Sequence, residues 1–322
     1  MNREATMSQT TLPLSSLPAI TPTLGQAVQN AYAQFENRSL QSIVGWTLRT
    51  TITGWDSIVI VGGAEECFAL IYQNDTDSSQ WLLAFRGTAS KDDLFKDLEA
   101  GTTAFIAADG SRPDVDVHVG FFGIYSGIGG TMRASMQTQL FAWLDGIGEP
   151  STVHITGHSL GGALAELFTF DLATSRPSQS FQTIDWAAPR VGTRKWVAAY
   201  DGNPTTAATI RIVNTQDVIP DLPPTTPLYD YGQVGQEAAV SFGNQSHVLD
   251  PFTRVLIRHS MDNYLTVISH ALQCPTTPWP FTFTDAIKPD ITDIAVTPSL
   301  PDVDSRTALI AELRTARSGR LA

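Results

Sequence analysis

A serine flanked by glycines is the feature of this sequence with the clearest chemistry. Residues 157–161 are Gly-His-Ser-Leu-Gly, with Ser159 at the centre. This G-x-S-x-G spacing is typical of a nucleophilic serine on a strained turn between a strand and a helix. An apolar segment precedes it and apolar residues at helical spacing follow from Leu160, which favours this interpretation over an ordinary glycine-rich turn. The pattern predicts nucleophilic attack by Ser159 on a carbonyl carbon.

The segments around this serine predict alternating strands and helices. Apolar runs predict strands at residues 152–156, 181–186 and 208–213. Apolar residues at helical spacing predict helices at residues 160–173 and 194–200. Strands that alternate with helices over short loops form a largely parallel sheet with helices on both faces. The predicted fold class is therefore α/β.

Further elements are predicted upstream of the serine. A first helix is expected at residues 23–39, followed by a hairpin of two buried strands at residues 67–72 and 81–85. A long helix is expected at residues 122–144. Because glycine disfavours a helix interior, the glycines at its beginning predict a late start, near Thr131.

The organisation along the chain predicts one large domain with two extensions. Residues 1–22 are interpreted as a flexible arm, residues 23–274 as the domain, and residues 275–322 as a proline-rich extension with a helix. Within the domain, residues 220–250 are rich in Pro, Gly and Asp and are interpreted as a long surface loop region. A last helix is expected from His259 to about residue 271.

Other stretches carry distinctive motifs in a fixed order around the serine. Phe-Arg-Gly-Thr at residues 85–88 and Val-His-Val-Gly-Phe-Phe at residues 117–122 precede it. Ala-Pro-Arg-Val-Gly at residues 188–192 follows it, and residues 213–224 form an Asp-containing loop further on. Together with residues 155–163, these stretches resemble the class 3, fungal-type lipase family of the α/β-hydrolase superfamily.

The resemblance extends over about residues 65–270. It implies an α/β-hydrolase fold, with a mostly parallel central sheet and helices on both faces. It also implies that the chain is a serine esterase of lipid degradation, which cleaves carboxylic esters through an acyl-enzyme on Ser159. No cofactor is needed for that chemistry.

A nucleophilic serine needs a histidine base, which in α/β-hydrolases follows both the serine and the acid in the chain. Three histidines follow Ser159, namely His247, His259 and His270. His259 is preferred because it opens the last predicted helix, and because the family's histidine similarly precedes a short helix with an aromatic residue, here Tyr264.

Asp217 is the preferred acid of the predicted triad. It follows directly on the strand predicted at residues 208–213, and ligand sites of α/β sheets lie at the carboxyl ends of strands. A turn-capping role before Pro220 is the alternative for Asp217. Asp221 is the second candidate acid, although the prolines that follow it indicate a rigid turn.

Two further histidines lie in the motifs. His158 is interpreted as structural, because residues adjacent at such a turn point away from each other. Asp114, Asp116 and His118 alternate and are expected to share one strand face, where a metal site is the less favoured interpretation because no further ligand run supports it. The resemblance implies instead that His118 supports the catalytic site.

The oxyanion that forms during the reaction needs at least two hydrogen-bond donors. The resemblance implies that these are the backbone N–H groups of Thr88 and Leu160, with the Thr88 hydroxyl as a third donor.

Residues 90–101 predict a short helix with an apolar edge formed by Leu94, Phe95 and Leu98. The resemblance implies that this helix is a mobile lid over the acyl groove, which turns its apolar edge to a lipid interface. A fixed surface helix is the alternative. Residues 90–101 contain four acidic residues and two lysines, which argues against long-chain triacylglycerol as the substrate and leaves esters of shorter acyl chains as candidates.

Composition restricts the class of partner. The formal net charge of the 322 residues is −12, which argues against nucleic acid as a partner and against attraction to anionic membranes. A carboxylic ester substrate such as an acylglycerol, with transient contact to a lipid interface, is compatible with this charge. There is no apolar run of membrane-spanning length, and so no transmembrane segment is expected.

The beginning of the chain lacks the apolar segment of a signal peptide, so a cytoplasmic location is the default expectation. Secretion is the alternative that the family resemblance implies. The two cysteines, Cys67 and Cys274, permit one disulfide but do not require it.

The predicted function is hydrolysis of carboxylic esters by a triacylglycerol lipase or carboxylesterase. An esterase for aromatic acyl esters or phospholipids is an alternative, because acyl selectivity depends on pocket shape. A non-catalytic relative that binds lipid or a partner protein is another. That alternative is expected to lack the serine, the acid or the histidine, and all three candidates are present.

Overall fold

The computed structural model describes most of the domain. The described residues are 11–56, 63–88, 101–148, 152–243, 251–273 and 293–294.

Seven strands form one central sheet, and shorter strands form two small sheets beside it. In chain order the strands are β1 Trp46–Asp56, β2 Ala64–Asn74, β3 Gln80–Phe85, β4 Thr102–Ala104, β5 Asp116–His118, β6 Thr152–His158, β7 Phe181–Trp186, β8 Gly192–Thr193, β9 Ile210–Asn214, β10 Tyr231–Gly232, β11 Gln236–Val240, β12 Phe242–Gly243 and β13 Asp293–Ile294. The order across the central sheet is β1-β2-β3-β6-β7-β9-β11.

The central sheet is parallel over its larger part. Strands β3, β6, β7, β9 and β11 run parallel to one another, whereas β1, β2 and β3 pair antiparallel. The crossovers from β3 to β6, from β6 to β7 and from β7 to β9 contain α-helices, whereas the connection from β9 to β11 contains a short 3-10 turn and β10. The predicted α/β-hydrolase fold is confirmed.

Helices cover both faces of the sheet, as its alternating side chains show. On β2, Ala69 and Ile71 belong to the core on one face, whereas Leu70 and Tyr72 belong to the core on the other. This is the two-residue period of a strand buried on both faces. The α-helices are α1 Thr21–Phe35, α2 Val119–Ser126, α3 Met136–Ile147, α4 Leu160–Ser175, α5 Arg194–Asp201, α6 Pro251–His259 and α7 Met261–Gln273. No helix among the described residues is long and apolar enough to cross a membrane.

The long helix predicted at residues 122–144 is in fact two helices, α2 and α3. The glycine-rich connection between them packs on the ring of Trp55: a Cβ atom on Gly129 would lie 2.0 Å from that ring. Gly130 adopts a φ of +55°, which ends the helical path. Instead of one helix that starts late, the structure has a short helix α2, a break at the glycines and a second helix α3.

The prediction of a surface loop region at residues 220–250 is wrong where the structure forms strands β10, β11 and β12, of which β11 is the longest. Residues Gln236–Val240 form β11, which pairs in parallel with β9 and completes the sheet. The five-residue strand follows Gly235, which has a φ of +62°, and the surrounding Pro and Gly residues conceal so short an apolar run. The strand also contacts the N-terminal segment, where the Leu12 N–H donates to the Glu237 carbonyl.

The second half of the predicted N-terminal arm lies on the domain. Leu17 is buried in the core that α1 and α7 form on their face of the sheet. Residues 1–10, which make up the rest of the arm, lie outside the described residues. Nearly all of the extension at residues 275–322 does so as well.

Candidate active site

Ser159 lies on a strained turn between β6 and α4. Its φ is +58° and its ψ is −130°, a backbone conformation that costs energy in a residue other than glycine. The flanking glycines are required by contact: a Cβ on Gly157 would lie 2.0 Å from the Gly161 carbonyl oxygen. A Cβ on Gly161 would lie 2.5 Å from the Arg86 carbonyl oxygen. The local sequence therefore permits a turn that larger residues would block.

The structure brings Ser159, His259 and Asp217 together. His259 Nε2 lies 2.7 Å from Ser159 Oγ, and His259 Nδ1 lies 2.7 Å from Asp217 Oδ2. All three side chains are buried, Asp217 completely. Because the carboxylate accepts from Nδ1–H, Nε2 is the ring nitrogen that faces the serine hydroxyl as an acceptor. The arrangement can transfer the serine proton to the imidazole as Oγ attacks a carbonyl carbon.

Asp217 is held by donors from two elements. The Ile219 N–H donates to Asp217 Oδ1 over 3.0 Å, and the Tyr264 hydroxyl donates to Asp217 Oδ2 over 3.0 Å. Tyr264 in turn accepts from the Asn214 N–H at the end of β9, with a distance of 2.7 Å. The acid is therefore fixed by the loop after β9 and by α7, and the aromatic residue expected near the histidine contacts the acid.

Asn214 connects the end of β9 to the segment that carries His259. Its side-chain amide donates to the carbonyls of Phe242, over 2.9 Å, and of Arg258, over 3.0 Å. The amide oxygen accepts from the Phe242 N–H. Arg258 immediately precedes His259, which is the last residue of α6. Asn214 thereby fixes the backbone that presents the imidazole.

Residues 86–88, which we call the oxyanion segment, follow β3 and lie beside the serine. Arg86 is buried, and its guanidinium donates to the Gly87 carbonyl over 2.8 Å and to the Cys67 carbonyl over 2.7 Å. The Gly87 carbonyl and the Thr88 N–H belong to one planar peptide group and point in opposite directions. By holding the carbonyl, Arg86 therefore fixes the direction of the Thr88 N–H.

Gly87 allows the oxyanion segment to approach the turn closely. A Cβ on this residue would lie 2.8 Å from Ser159 Cβ and 2.5 Å from the His158 carbonyl oxygen. Leu160, the other predicted donor, is the first residue of α4, so its N–H belongs to the positive end of that helix. Both predicted donor residues therefore border the serine.

A cavity of about 520 Å³ lies at this site. Its described lining includes Thr88 and His259, Tyr32 on α1, and Glu36 and Arg38 just after that helix. The cavity can admit a substrate group next to the predicted donors.

Comparison with known proteins gives a match over part of the chain. Residues 82–226, which we call the lipase region, match the family model described as lipase (class 3). The match includes the oxyanion segment, Ser159 and Asp217, whereas α1 and His259 lie outside it.

The relatives of this lipase region include plant phospholipases. The chain is 29% identical over 181 residues to the chloroplastic phospholipase A(1) DAD1 of Arabidopsis thaliana, covering 54% of this chain and 39% of that protein. It is 27% identical over 196 residues to phospholipase A1-II 1 of Oryza sativa subsp. indica, covering 57% of this chain and 48% of the relative. The chain thus spans less than half the length of these relatives.

Solved lipase structures share the fold. A propeptide complex of the Rhizomucor miehei lipase superimposes with a TM-score of 0.53 at 21% identity, covering 70% of this chain and 68% of that one. The lipase from Rhizopus microsporus var. chinensis superimposes with a TM-score of 0.52 at 21% identity, covering 73% of this chain and 78% of that one.

The alternative triad residues of the lipase region lie elsewhere. Asp221 ends a short 3-10 turn and pairs with Arg190 at 3.6 Å. His270 lies near the end of α7, and His247 falls outside the described residues. Of the candidates that the structure describes, Asp217 and His259 are the pair in contact with each other and, through His259, with Ser159.

The other predicted histidines take distinct positions. His158 is buried with its ring between the Tyr32 hydroxyl and the His259 carbonyl. His118 is buried at the start of α2, where its Nδ1 accepts from the Phe121 N–H over 3.4 Å. Asp116 and His118 are alternate residues of β5, as predicted, but Asp116 is exposed whereas His118 is buried where the chain turns into α2.

Two further expectations concern the edges of the site. The predicted lid residues Leu94, Phe95 and Leu98 lie outside the described residues, as does Cys274. In the described part of the chain, no group of three or more His, Cys, Asp and Glu side chains is arranged to hold a metal ion.

Sequence reasoning missed the supporting residues. Tyr32 lies within the helix predicted at residues 23–39, and Asn214 lies within the loop motif at residues 213–224, but neither was predicted to support the site. Their partners are distant in the chain: Tyr32 bonds to His158, 126 residues away, and Asn214 bonds to Arg258, 44 residues away. The polar hydroxyl of Tyr32 on an otherwise apolar helix face was the available signal.

Proposed function

We propose that this protein is a serine hydrolase that cleaves carboxylic esters through an acyl-enzyme on Ser159. The observation that supports this most directly is the continuous contact from Ser159 Oγ through the His259 imidazole to Asp217, with 2.7 Å at each step. A histidine held between a serine and a carboxylate in this way is a general base for nucleophilic attack. The match of residues 82–226 to the class 3 lipase model supports this chemistry.

The proposed reaction has two halves. In the first, His259 Nε2 takes the proton of Ser159 as Oγ attacks the ester carbonyl, and the N–H groups of Thr88 and Leu160 stabilise the oxyanion. The tetrahedral intermediate collapses, His259 returns the proton to the leaving alcohol, and the acyl group stays on Ser159. In the second half a water molecule, activated by His259, attacks the acyl-enzyme, and the acid product leaves. Asp217 orients the imidazole and stabilises its protonated form in both halves.

Within this class, lipid esters are the proposed substrates, through transient contact with a lipid interface. The relatives at 27–29% identity are phospholipases A1, which supports a phospholipid ester as the substrate. The triacylglycerol lipase is the second candidate, and the acidic segment at residues 90–101 argues for shorter acyl chains in either case. We propose hydrolysis of an acyl ester bond of a polar or neutral lipid, with no cofactor in the reaction.

The first test is hydrolysis of p-nitrophenyl esters from butyrate to palmitate by the wild-type chain and by Ser159→Ala. The expected result is turnover by the wild type and a loss of about 10⁶-fold in the variant, as for the removal of other catalytic serines. Residual activity close to wild type would reject Ser159 as the nucleophile. A wild type that is inactive on every ester, including emulsified ones, would favour the non-catalytic lipid-binding or partner-binding alternative.

A second assay separates the two lipid classes. A phosphatidylcholine and a triacylglycerol with the same acyl chains are presented in the same mixed micelles, and fatty acid release is measured for each. Faster release from the phospholipid supports the phospholipase assignment, whereas faster release from the triacylglycerol supports the lipase assignment.

A further inference from the structure

A chain of hydrogen bonds links the candidate base to α1. His158 Nε2 lies 2.8 Å from the His259 carbonyl oxygen, and His158 Nδ1 lies 2.8 Å from the Tyr32 hydroxyl. The His158 ring is buried, and its centroid lies 4.6 Å from that of the His259 ring. Two imidazoles therefore lie side by side, one of them in the triad and the other bound to its backbone.

Both hydrogen bonds in this series are donated in the same direction, from Tyr32 towards His259. A carbonyl oxygen can only accept, so His158 Nε2 carries the proton that bonds to His259. In a neutral imidazole the other nitrogen is then an acceptor, and so Tyr32 donates its hydroxyl proton to His158 Nδ1. Burial, together with the neighbouring His259, lowers the pKa of His158 well below its usual value, which agrees with a neutral ring.

The other end of the chain reaches the oxyanion segment. The Tyr32 hydroxyl oxygen lies against Gly87 of the oxyanion segment, and a Cβ on Gly87 would lie 2.4 Å from that oxygen. This contact between Gly87 and Tyr32 continues through two hydrogen bonds, by way of His158, to the backbone of His259.

Catalysis depends on the distance between the two ends of this chain. The oxyanion near Thr88 and the positive charge on the His259 ring develop in the same step, and misplacement of catalytic groups by about 1 Å can cost about 100-fold in rate. Arg86 holds the carbonyl of Gly87, and the Tyr32 hydroxyl packs closely against the same residue.

We propose that Tyr32 and His158 are positioning residues, which hold the oxyanion segment at a fixed distance from His259. The proposal rests on the ester hydrolase function proposed above. It assigns a role to α1, which lies outside the residues that match the family model. If Tyr32 served only to pack the core, its ring would be sufficient without the hydroxyl. Removal of the hydroxyl alone therefore tests the positioning role.

The test compares Tyr32→Phe with a matched variant, Tyr72→Phe. Tyr72 is also a tyrosine whose hydroxyl joins α1 to the sheet, through Asn30 Nδ2 at 3.1 Å, and it is 3% exposed. Each variant is assayed for kcat and KM on p-nitrophenyl butyrate, for its melting temperature, and for inhibition by an alkyl trifluoromethyl ketone, which forms a tetrahedral adduct with the serine.

The expected result for Tyr32→Phe is a kcat lower by about 10- to 100-fold, with KM within about 2-fold, because the lost contacts matter in the transition state. The inhibition constant of the ketone should rise by the same factor as kcat/KM falls. Tyr72→Phe should keep kcat within about 2-fold of the wild type at a comparable loss of stability. An effect of Tyr32→Phe confined to KM would indicate substrate contact and would overturn the proposal.

A double-mutant cycle tests the link through His158. His158→Leu removes both bonds of the ring, whereas His158→Gln keeps an amide donor for the His259 carbonyl and should restore part of kcat. If the two residues act as one chain, Tyr32→Phe adds little to His158→Leu, and independent effects would contradict the proposal.

The proposed function and this inference fail in different ways. Normal turnover in Tyr32→Phe, with turnover abolished in Ser159→Ala, would overturn the positioning role and leave the hydrolase intact. A wild type without ester hydrolysis would overturn both.

Discussion

Two buried acidic groups in this molecule differ in how their carboxyl oxygens are satisfied. Asp217 contacts three donors, which come from His259, Tyr264 and the Ile219 backbone. Glu166, which is equally buried on α4, has two carboxyl oxygens without a hydrogen-bond partner among the residues that the structure describes. The first group belongs to the candidate active site, and the second lies beneath it in the core.

Glu166 belongs to a buried cluster, which we call the core group, together with Asp185 on β7 and Arg211 on β9. Asp185 and Arg211 are paired residues of these two neighbouring strands. Burial raises the pKa of Asp185 to about 8, although Arg211 opposes the shift. Burial and the nearby Asp185 raise the pKa of Glu166 well above its usual value. One guanidinium close to two buried carboxyl groups leaves at least one of them protonated at neutral pH.

The difference shows that burial alone does not make a carboxylate functional. A carboxylate that accepts several hydrogen bonds can orient a neighbouring imidazole, whereas a buried carboxyl without donors is stable only when it holds a proton. Substitution of aspartate by asparagine should therefore abolish most of the turnover at Asp217 and leave turnover nearly unchanged at Asp185.

The largest expected effect is that of Asp217→Asn on turnover. The amide favours the wrong tautomer of His259, so kcat should fall by about 10⁴-fold, as in other triads of this kind. The measurement is kcat on p-nitrophenyl butyrate, with melting temperature as the check on folding. Asp185→Asn is the matched control and should retain kcat within about 3-fold, because Asp185 contacts none of the reacting groups. Equal losses in the two variants would mean that the core group takes part in the reaction.

The next largest effect is expected at the oxyanion segment. Thr88→Val removes the side-chain hydroxyl and keeps the backbone N–H, and kcat should fall by about 100- to 1,000-fold with little change in KM. Thr88→Ser is the control, since it keeps the hydroxyl, and it should stay close to wild type. A normal kcat in Thr88→Val would restrict the oxyanion donors to backbone groups.

A smaller effect tests the three donors of Asp217 directly. Tyr264→Phe removes one of them, while the contacts with His259 and the Ile219 N–H remain. Loss of one such hydrogen bond is worth about 0.5–1.5 kcal/mol, so kcat should fall by no more than about 10-fold. A loss as large as that in Asp217→Asn would show that Tyr264 has a further role, beyond holding the acid.

The sequence was sufficient for the features that are local in the chain. The strand predicted at residues 181–186 coincides with β7, and the helix predicted from Leu160 coincides with the start of α4. The glycines around Ser159 predicted the turn, because close packing at such a turn excludes larger residues. The order of serine, acid and histidine followed from the fold class.

The features that depend on distant contacts could not be predicted. The glycines at 129 and 130 are explained by the ring of Trp55, more than 70 residues earlier in the chain. The five residues of β11 form a strand because β9 offers a free parallel edge, which no local pattern indicates. Tyr32 had the spacing of a core residue, and only the folded chain brings its hydroxyl to His158.

The smallest expected effect concerns stability and the core group alone. Asp185 has a pKa of about 8 in the folded chain against an ordinary value of 3.8. Between these values the folded protein keeps a proton that the unfolded chain has lost, so this group lowers the free energy of unfolding as pH rises from about 4 to about 8. Asp185→Asn has no such proton to lose.

The free energy of unfolding of Asp185→Asn, relative to that of the wild type, should therefore increase as pH rises from about 4 to about 8. The increase should be at most about 1.4 kcal/mol per pH unit, and less where Glu166 and Arg211 share the proton. Urea unfolding at pH 5, 6, 7 and 8 measures the difference at each pH. Asp145→Asn, at an exposed aspartate that pairs with Arg176, is the control for removal of a carboxylate from the surface. Parallel curves for Asp185→Asn and the wild type would mean that Asp185 is charged throughout, and the contrast between the two acidic groups would then lie in their hydrogen bonds alone.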